Sequence, residues 1–179
     1  MKNNPVNYFE FFGIPLSFQV DEAALRRVFY QNSKEFHPDF HTLADVARQA
    51  EMLELSTLNN EAFQTLSDPD KRMRYVLKIK GLLEDEGKLS VPQAFLAEMM
   101  EVNEALMELE FGPDPVQFAA AAQTAHDLEK SLDAGIRPVL DTYTEHTGTE
   151  ADLRAVLEYF LKKRYLLRVL ENLSKFAPQ

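Results

Sequence analysis

"FYQNSKEFHPDFHT", Phe29 to Thr42, decides how the rest of the chain is read. Up to Phe36 it continues a helical pattern, with Asp21 placed as N-cap and Leu25, Val28, Phe29 and Phe36 spaced for one inward face. Pro38 then disfavours helix at His37 and removes a backbone donor, so the helix has to end there. A second helical pattern follows from Ala44 to Leu66, with Leu55, Leu58, Ala62, Phe63 and Leu66 as core candidates. The stretch is therefore the tip of a helical hairpin, carrying a histidine, a rigid ring and a carboxylate side by side.

Working outward, the same three- and four-residue recurrence of apolar side chains covers almost the whole chain, and no sustained alternation appears. A short helix is expected over Tyr8 to Gly13. In "SDPDKR", Ser67 or Asp68 caps a fourth helix with Pro69 at its first position, running to Lys80. "GLLEDEGKLSVP", with two glycines, a charge cluster and Pro92, marks a boundary. Beyond it come a helix from Pro92 to Glu110, a turn at "FGPDP", and a long helix from Pro115 that Pro138 should kink or split. After "HTGTEAD", Thr149 and Asp152 form a capping-box-like start for the last helix, to about Phe176. The expected architecture is all-α: a helical domain over residues 1–80, a linker over 81–91, and a three-helix domain over 92–179.

Composition narrows the function. The 179 residues are 45% hydrophobic, ample for a packed core, and include no cysteine. Disulfides, thiol nucleophiles and cysteine-ligated metal centres are thereby excluded from this chain. Its apolar runs fall far short of the roughly 20 residues of a membrane span, and "NYFEFFGIPL" is broken by Glu10, Gly13 and Pro15. A soluble, cytoplasmic protein is expected. A formal charge of −10 argues against sequence-independent nucleic-acid binding. Nine acids against the single base Lys88 lie between Gly81 and Asp114, so that stretch holds −8 of the total.

No catalytic pattern accompanies the loop. His37 and His41 have a spacing that chelates metal on a helix, but Pro38 intervenes and no glutamate is placed as in HExxH. His126 and His146 are isolated, and no Ser-His-Asp order or paired-carboxylate pattern stands out. The chain is not expected to be an enzyme, to hold a metal or to need a cofactor.

The His-Pro-Asp tripeptide lies between a helix ending "KEF" and one ending "LNNEAFQTLSDPDKR", after an opening "NYFEFFGIP". This arrangement resembles a J-domain. The resemblance implies that His37, Pro38 and Asp39 engage a DnaK-type chaperone and stimulate its ATP hydrolysis. Pro38 would fix the loop shape, Asp39 would accept a charge-assisted bond from a partner guanidinium, and His37 would orient the loop. Arg26, Arg27 and Lys34 on the preceding helix are the matching basic residues, offset here by Asp21, Glu22 and Glu35. Phe40 follows the aspartate where such domains usually carry a base. Lys71, Arg72, Arg74, Lys78 and Lys80 on the fourth helix either contribute to guidance or form a solvated face.

With no cysteine, the chain has none of the zinc repeats of a general DnaJ. "RMRYVLKIKG" and "AFLAEMMEVNEALMELE" instead resemble the HscB family of bacterial type, co-chaperones of iron–sulfur cluster assembly. In the second block, Phe95, Met99, Val102, Leu106 and Leu109 form a packing seam. Leu96, Met100 and Met107 form a second stripe edged by acids, suited either to a partner or to burial on two sides of a bundle. The resemblance implies the first: an IscU-type scaffold held by Leu96, Ala97, Met100, Glu101, Glu104, Glu108 and Tyr165, with Phe160 the nearest competitor of Tyr165. The implied function is a co-chaperone that delivers this scaffold to an HscA-type ATPase. A J-domain protein with another client, or a helical interaction protein in which His-Pro-Asp is incidental, are the other readings.

Overall fold

The computed structural model describes residues 6–83, 89–112 and 114–177. Glu84, Asp85, Glu86 and Lys88 of the charge cluster, and with them the middle of the expected linker, lie outside the described residues, as does Pro113. All regular elements among the described residues are helical, apart from one isolated bridge. The chain divides into two units: Met1–Gly81 with Tyr143–Thr147, and Leu82–Thr142 with Gly148–Gln179.

In the first unit, α1 (Tyr8–Phe12) is capped by the Asn7 side chain, which accepts from the Phe9 amide. Gly13 ends it in the left-handed conformation, φ 63°, which a Cβ would disfavour. α2 (Glu22–Glu35) starts at Asp21, whose carboxylate accepts from the amides of Ala23 and Ala24. α3 (Val46–Ser67) starts at Asp45, two residues later than the apolar pattern suggests, because the Asp45 carboxylate accepts from the Arg48 amide. Asp68 and Pro69 open α4 (Pro69–Ile79) as cap and first residue.

The hairpin of α2 and α3 closes over Leu25, Met52, Ala62 and Leu66, with Phe29 stacked on Phe63 at 4.1 Å. Leu55, Leu58 and Phe63 are only half-buried, and the deep positions of α3 include Met52 and Asn59 instead. Asn59 is buried because α2 supplies its partners. Its Nδ2 donates to the Phe29 carbonyl (3.2 Å) and to Ser33 Oγ (3.1 Å), while its Oδ1 accepts from Asn32 Nδ2 (3.2 Å). Such a network is costly to break, because each surviving group stays buried without a partner. Asn59→Leu is expected to cost about 1–3 kcal/mol of the first unit's stability, read as a lower urea midpoint.

The segment Tyr143–Thr147 completes this unit. Thr144 forms an antiparallel bridge with Ser17, the Tyr143 ring lies 5.0 Å from Phe18, and Lys80 Nζ pairs with Glu145 at 2.9 Å. Arg72 on α4 is buried too, its guanidinium donating to the carbonyls of Phe18 and Leu66. Of the five bases considered for guidance on this helix, Arg72 is thus internal and Lys80 is ion-paired, while Lys71, Arg74 and Lys78 are exposed.

In the second unit, α5 (Gln93–Glu98) and α6 (Met100–Leu109) replace the single expected helix. The break falls at Met99, which is fully buried and has ψ −3°, well away from the helical value near −42°. α7 (Pro115–Thr142) runs through Pro138 without splitting. The carbonyl that loses its donor belongs to Ala134, and both residues are exposed, so solvent can take the place of the missing donor. α8 (Glu150–Ser174) begins with the expected capping box of Thr149 and Asp152.

The helices pack as an antiparallel bundle around Phe95, Met99, Val102, Leu109, Ala121, Ala125, Leu166, Val169 and Leu173. The short side chains of Ala121 and Ala125 let α7 approach closely. Near the other end, the buried Tyr159 hydroxyl donates to Asp133 Oδ1 (2.6 Å) and accepts from Lys163 Nζ (2.9 Å). Burial, then the Asp133 carboxylate, push this phenol up to about 12. A phenol with a raised folded-state pKa contributes stability that is complete below pH 10 and is lost as pH rises toward 12. Relative to Tyr159→Phe, which has no group to titrate there, the native chain is therefore expected to lose on the order of 2 kcal/mol of stability across that window in chemical denaturation.

Candidate functional site

The loop between α2 and α3 is a built structure. His37 is extended (φ −64°, ψ 126°), as the residue before proline requires, and serves as N-cap of a 3-10 turn over Pro38–His41. Its Nδ1 accepts from the Asp39 amide at 3.2 Å, which leaves the proton of the neutral ring on Nε2. Two further side chains pin the turn to its helices. His41 Nε2 bonds the Glu35 carbonyl at the end of α2 (2.7 Å), and Gln49 Nε2 on α3 donates to the carbonyls of Thr42 (3.2 Å) and Ala44 (2.9 Å). Neither residue is marked by a motif, because their partners are backbone atoms that only the folded turn brings near.

This framework holds the Asp39 side chain in solvent, 85% exposed and 3.8 Å from His37 Nδ1. Lys34 lines a cleft with Gln31, Glu35 and Phe40, so it stands at the loop. Arg26 pairs with Glu22 and lines a separate groove with Leu25, Tyr30, Phe63 and Ser67. Arg27 is exposed and shares a helix face with Lys34, seven residues on. His41 Nε2 is engaged by a carbonyl, and no group of three or more metal-ligating side chains is assembled among the described residues.

On the second unit one stripe is buried and the other is largely exposed, an outcome that spacing alone left open. Phe95, Met99, Val102 and Leu109 are buried and Leu106 half-buried, whereas Met100 (57%) and Met107 (62%) stand in solvent. Leu96 is half-buried between the stripes, and Ala97, Glu101, Glu104 and Glu108 are exposed. Tyr165 on α8 is brought to this face: its ring meets Phe95 edge-on at 6.2 Å and its hydroxyl accepts from Asn103 Nδ2 at 2.9 Å. Phe160 is buried, with the Arg164 guanidinium over its ring. Glu108 bonds Gln117 of α7, which ties one acid of the border to the bundle. Asn103 carried no signal in the sequence, since its role is to hold a tyrosine from another helix. Among the described residues no helix is long and apolar enough to cross a membrane.

The chain is similar to known proteins. Residues 91–174 match the family model described as the HSCB C-terminal oligomerisation domain. The chain is 27% identical over 172 residues to the co-chaperone protein HscB homolog of Shewanella amazonensis, covering 95% of this chain and 96% of that one. It is 33% identical over 120 residues to the Vibrio cholerae homolog (66% and 70%) and 30% identical over 146 residues to that of Paraburkholderia phymatum (81% and 83%). Two solved structures share the fold at 24% identity: chaperone HscB from Vibrio cholerae, TM-score 0.63 over 95% of this chain and 96% of that one, and human co-chaperone protein HscB, TM-score 0.68 over 97% and 83%. With a His-Pro-Asp hairpin ahead of an all-helical bundle, and relatives of this identity along nearly its whole length, the chain belongs to the HscB family of J-domain co-chaperones.

Proposed function

We propose that the chain stimulates ATP hydrolysis by an HscA- or DnaK-type chaperone and delivers an IscU-type iron–sulfur scaffold to it. Residues 1–80 act as the J-domain and 92–179 as the scaffold-binding domain, with 81–91 between them. His37, Pro38 and Asp39 dock on the ATPase, and Arg26, Arg27 and Lys34 steer the encounter. Leu96, Ala97, Met100, Glu101, Glu104, Glu108 and Tyr165 hold the scaffold. Work in the cytoplasm, without a cofactor or catalytic residue of its own, belongs to the same reading, and any cluster is cargo of the scaffold.

The observation that carries it is the loop, in which His37 caps the turn and leaves the Asp39 carboxylate 85% exposed. A preformed acceptor loses little freedom on meeting a guanidinium, which favours specific docking. The second surface supports the client side: exposed, adaptable Met100 beside acids that match a basic partner and raise its on-rate. Binding both partners at once raises the client's effective concentration at the chaperone.

Single-turnover ATP hydrolysis by an HscA-type chaperone, with and without IscU, tests the whole. Stimulation enhanced by IscU is expected. Stimulation indifferent to IscU would reopen the client, and none at all, with an active chaperone of the same organism, would reduce His-Pro-Asp to a helix stop.

A further inference from the structure

Phe40 makes no contribution to a core: it stands beside Asp39 with 67% of its surface exposed. Its backbone is nonetheless held, the amide donating to the His37 carbonyl at 3.0 Å within the 3-10 turn. The His37 ring meets it at 64° with centroids 5.8 Å apart. A perpendicular neighbour covers at most one face of the phenyl ring, so a face remains open. Beside it lies the cleft of about 350 Å³ formed with Gln31, Lys34 and Glu35.

We infer that Phe40 and Asp39 together receive one guanidinium of the ATPase chaperone, the ring by cation–π stacking and the carboxylate by charge-assisted hydrogen bonds. This rests on the chaperone-docking reading of the loop. The chemistry selects the occupant. A guanidinium is flat and weakly hydrated, so it stacks on an aromatic face while donating in its own plane. An aliphatic side chain in the same place would dehydrate the carboxylates of Glu35 and Asp39 without bonding them. Lys34 opposes a second cation, but two carboxylates against one ammonium leave this edge of the loop net negative. An aromatic residue thus takes over part of the recognition, and it does so by a contact that needs a face rather than a charge.

The test is the concentration of this protein that gives half-maximal stimulation of the chaperone's ATPase, compared among Phe40→Leu, Phe40→Tyr, Phe40→Trp and His37→Gln. Because Phe40 lies outside the core, the variants should keep the native circular dichroism. Leucine keeps apolar bulk and loses the π face, so the half-maximal concentration is expected to rise roughly two- to fivefold. Tyrosine and tryptophan, which keep the face, are expected to stay within about twofold of the native value. Native behaviour in the leucine variant, or equal weakening in all three, would overturn the inference while His37→Gln still abolishes stimulation. Full stimulation by His37→Gln would overturn the docking reading itself, whatever the Phe40 series shows.

Discussion

His37→Gln is expected to reduce ATPase stimulation at least tenfold, to near the chaperone's unassisted rate, while client binding and helical content are unchanged. The geometry gives the reason. His37 Nδ1 caps the Asp39 amide and its ring lies against Phe40, so one rigid side chain shapes the part of the loop that carries the carboxylate. Glutamine offers an acceptor on a chain with more rotatable bonds, and the turn loses its preformed shape before binding. A loss of about 1.4 kcal/mol in the productive complex is a factor of ten, and a misplaced charge-assisted bond exceeds that. The imidazole is half exposed, so stability should not follow. Single-turnover hydrolysis read alongside circular dichroism separates the two effects; equal loss of both would make His37 merely structural.

The paired change Leu96→Ser/Met100→Ser is expected to weaken scaffold binding by about two orders of magnitude and leave basal stimulation intact. Apolar anchors at the centre of a small interface commonly contribute about 1–2 kcal/mol each when truncated, and the pair together corresponds to roughly a hundredfold in Kd. Met100 is 57% exposed, so its replacement costs the fold little; Leu96 is half-buried and should cost a small part of the bundle's stability. Calorimetric titration with IscU measures the first effect, and denaturant unfolding the second. If basal stimulation fell as well, the two surfaces would not act independently. Added salt should slow association through Glu101, Glu104 and Glu108 more than it speeds dissociation.

Much of this molecule is legible in one dimension because its information is local. Asp21, Asp68 with Pro69, and Thr149 with Asp152 start helices where their side chains reach amides two or three residues on. Pro38 forbids helix at His37 by sterics alone, and a four-three spacing puts Phe95, Met99, Val102 and Leu109 on one buried face. The place of the His-Pro-Asp loop follows from the same local rules, whereas spacing left the Met100 stripe open between solvent and a second buried side, and only the resemblance favoured a surface there.

What the chain order could not show depends on partners distant in sequence. Asn59 reads as a polar residue in a helix, and only the Phe29 carbonyl, Ser33 and Asn32 across the hairpin make its burial favourable. Arg72 reads as one of a basic group, yet carbonyls of Phe18 and Leu66 take its guanidinium inward. Pro138 reads as a break, but an exposed carbonyl that water can satisfy makes it tolerable within α7. Tyr165 reaches Phe95 and Asn103 only when α8 returns along α6. By itself, then, the sequence determined the helical class, the caps at Asp21, Asp68 and Thr149 and the place of the loop, since each depends on contacts within about a turn, but not the break at Met99 or the later start of α3 at Asp45. Tertiary structure alone decided which polar groups are buried, which bases remain at the surface, and that Tyr143–Thr147 closes the first unit, because each of these needs a bonding partner that the folded chain has to deliver.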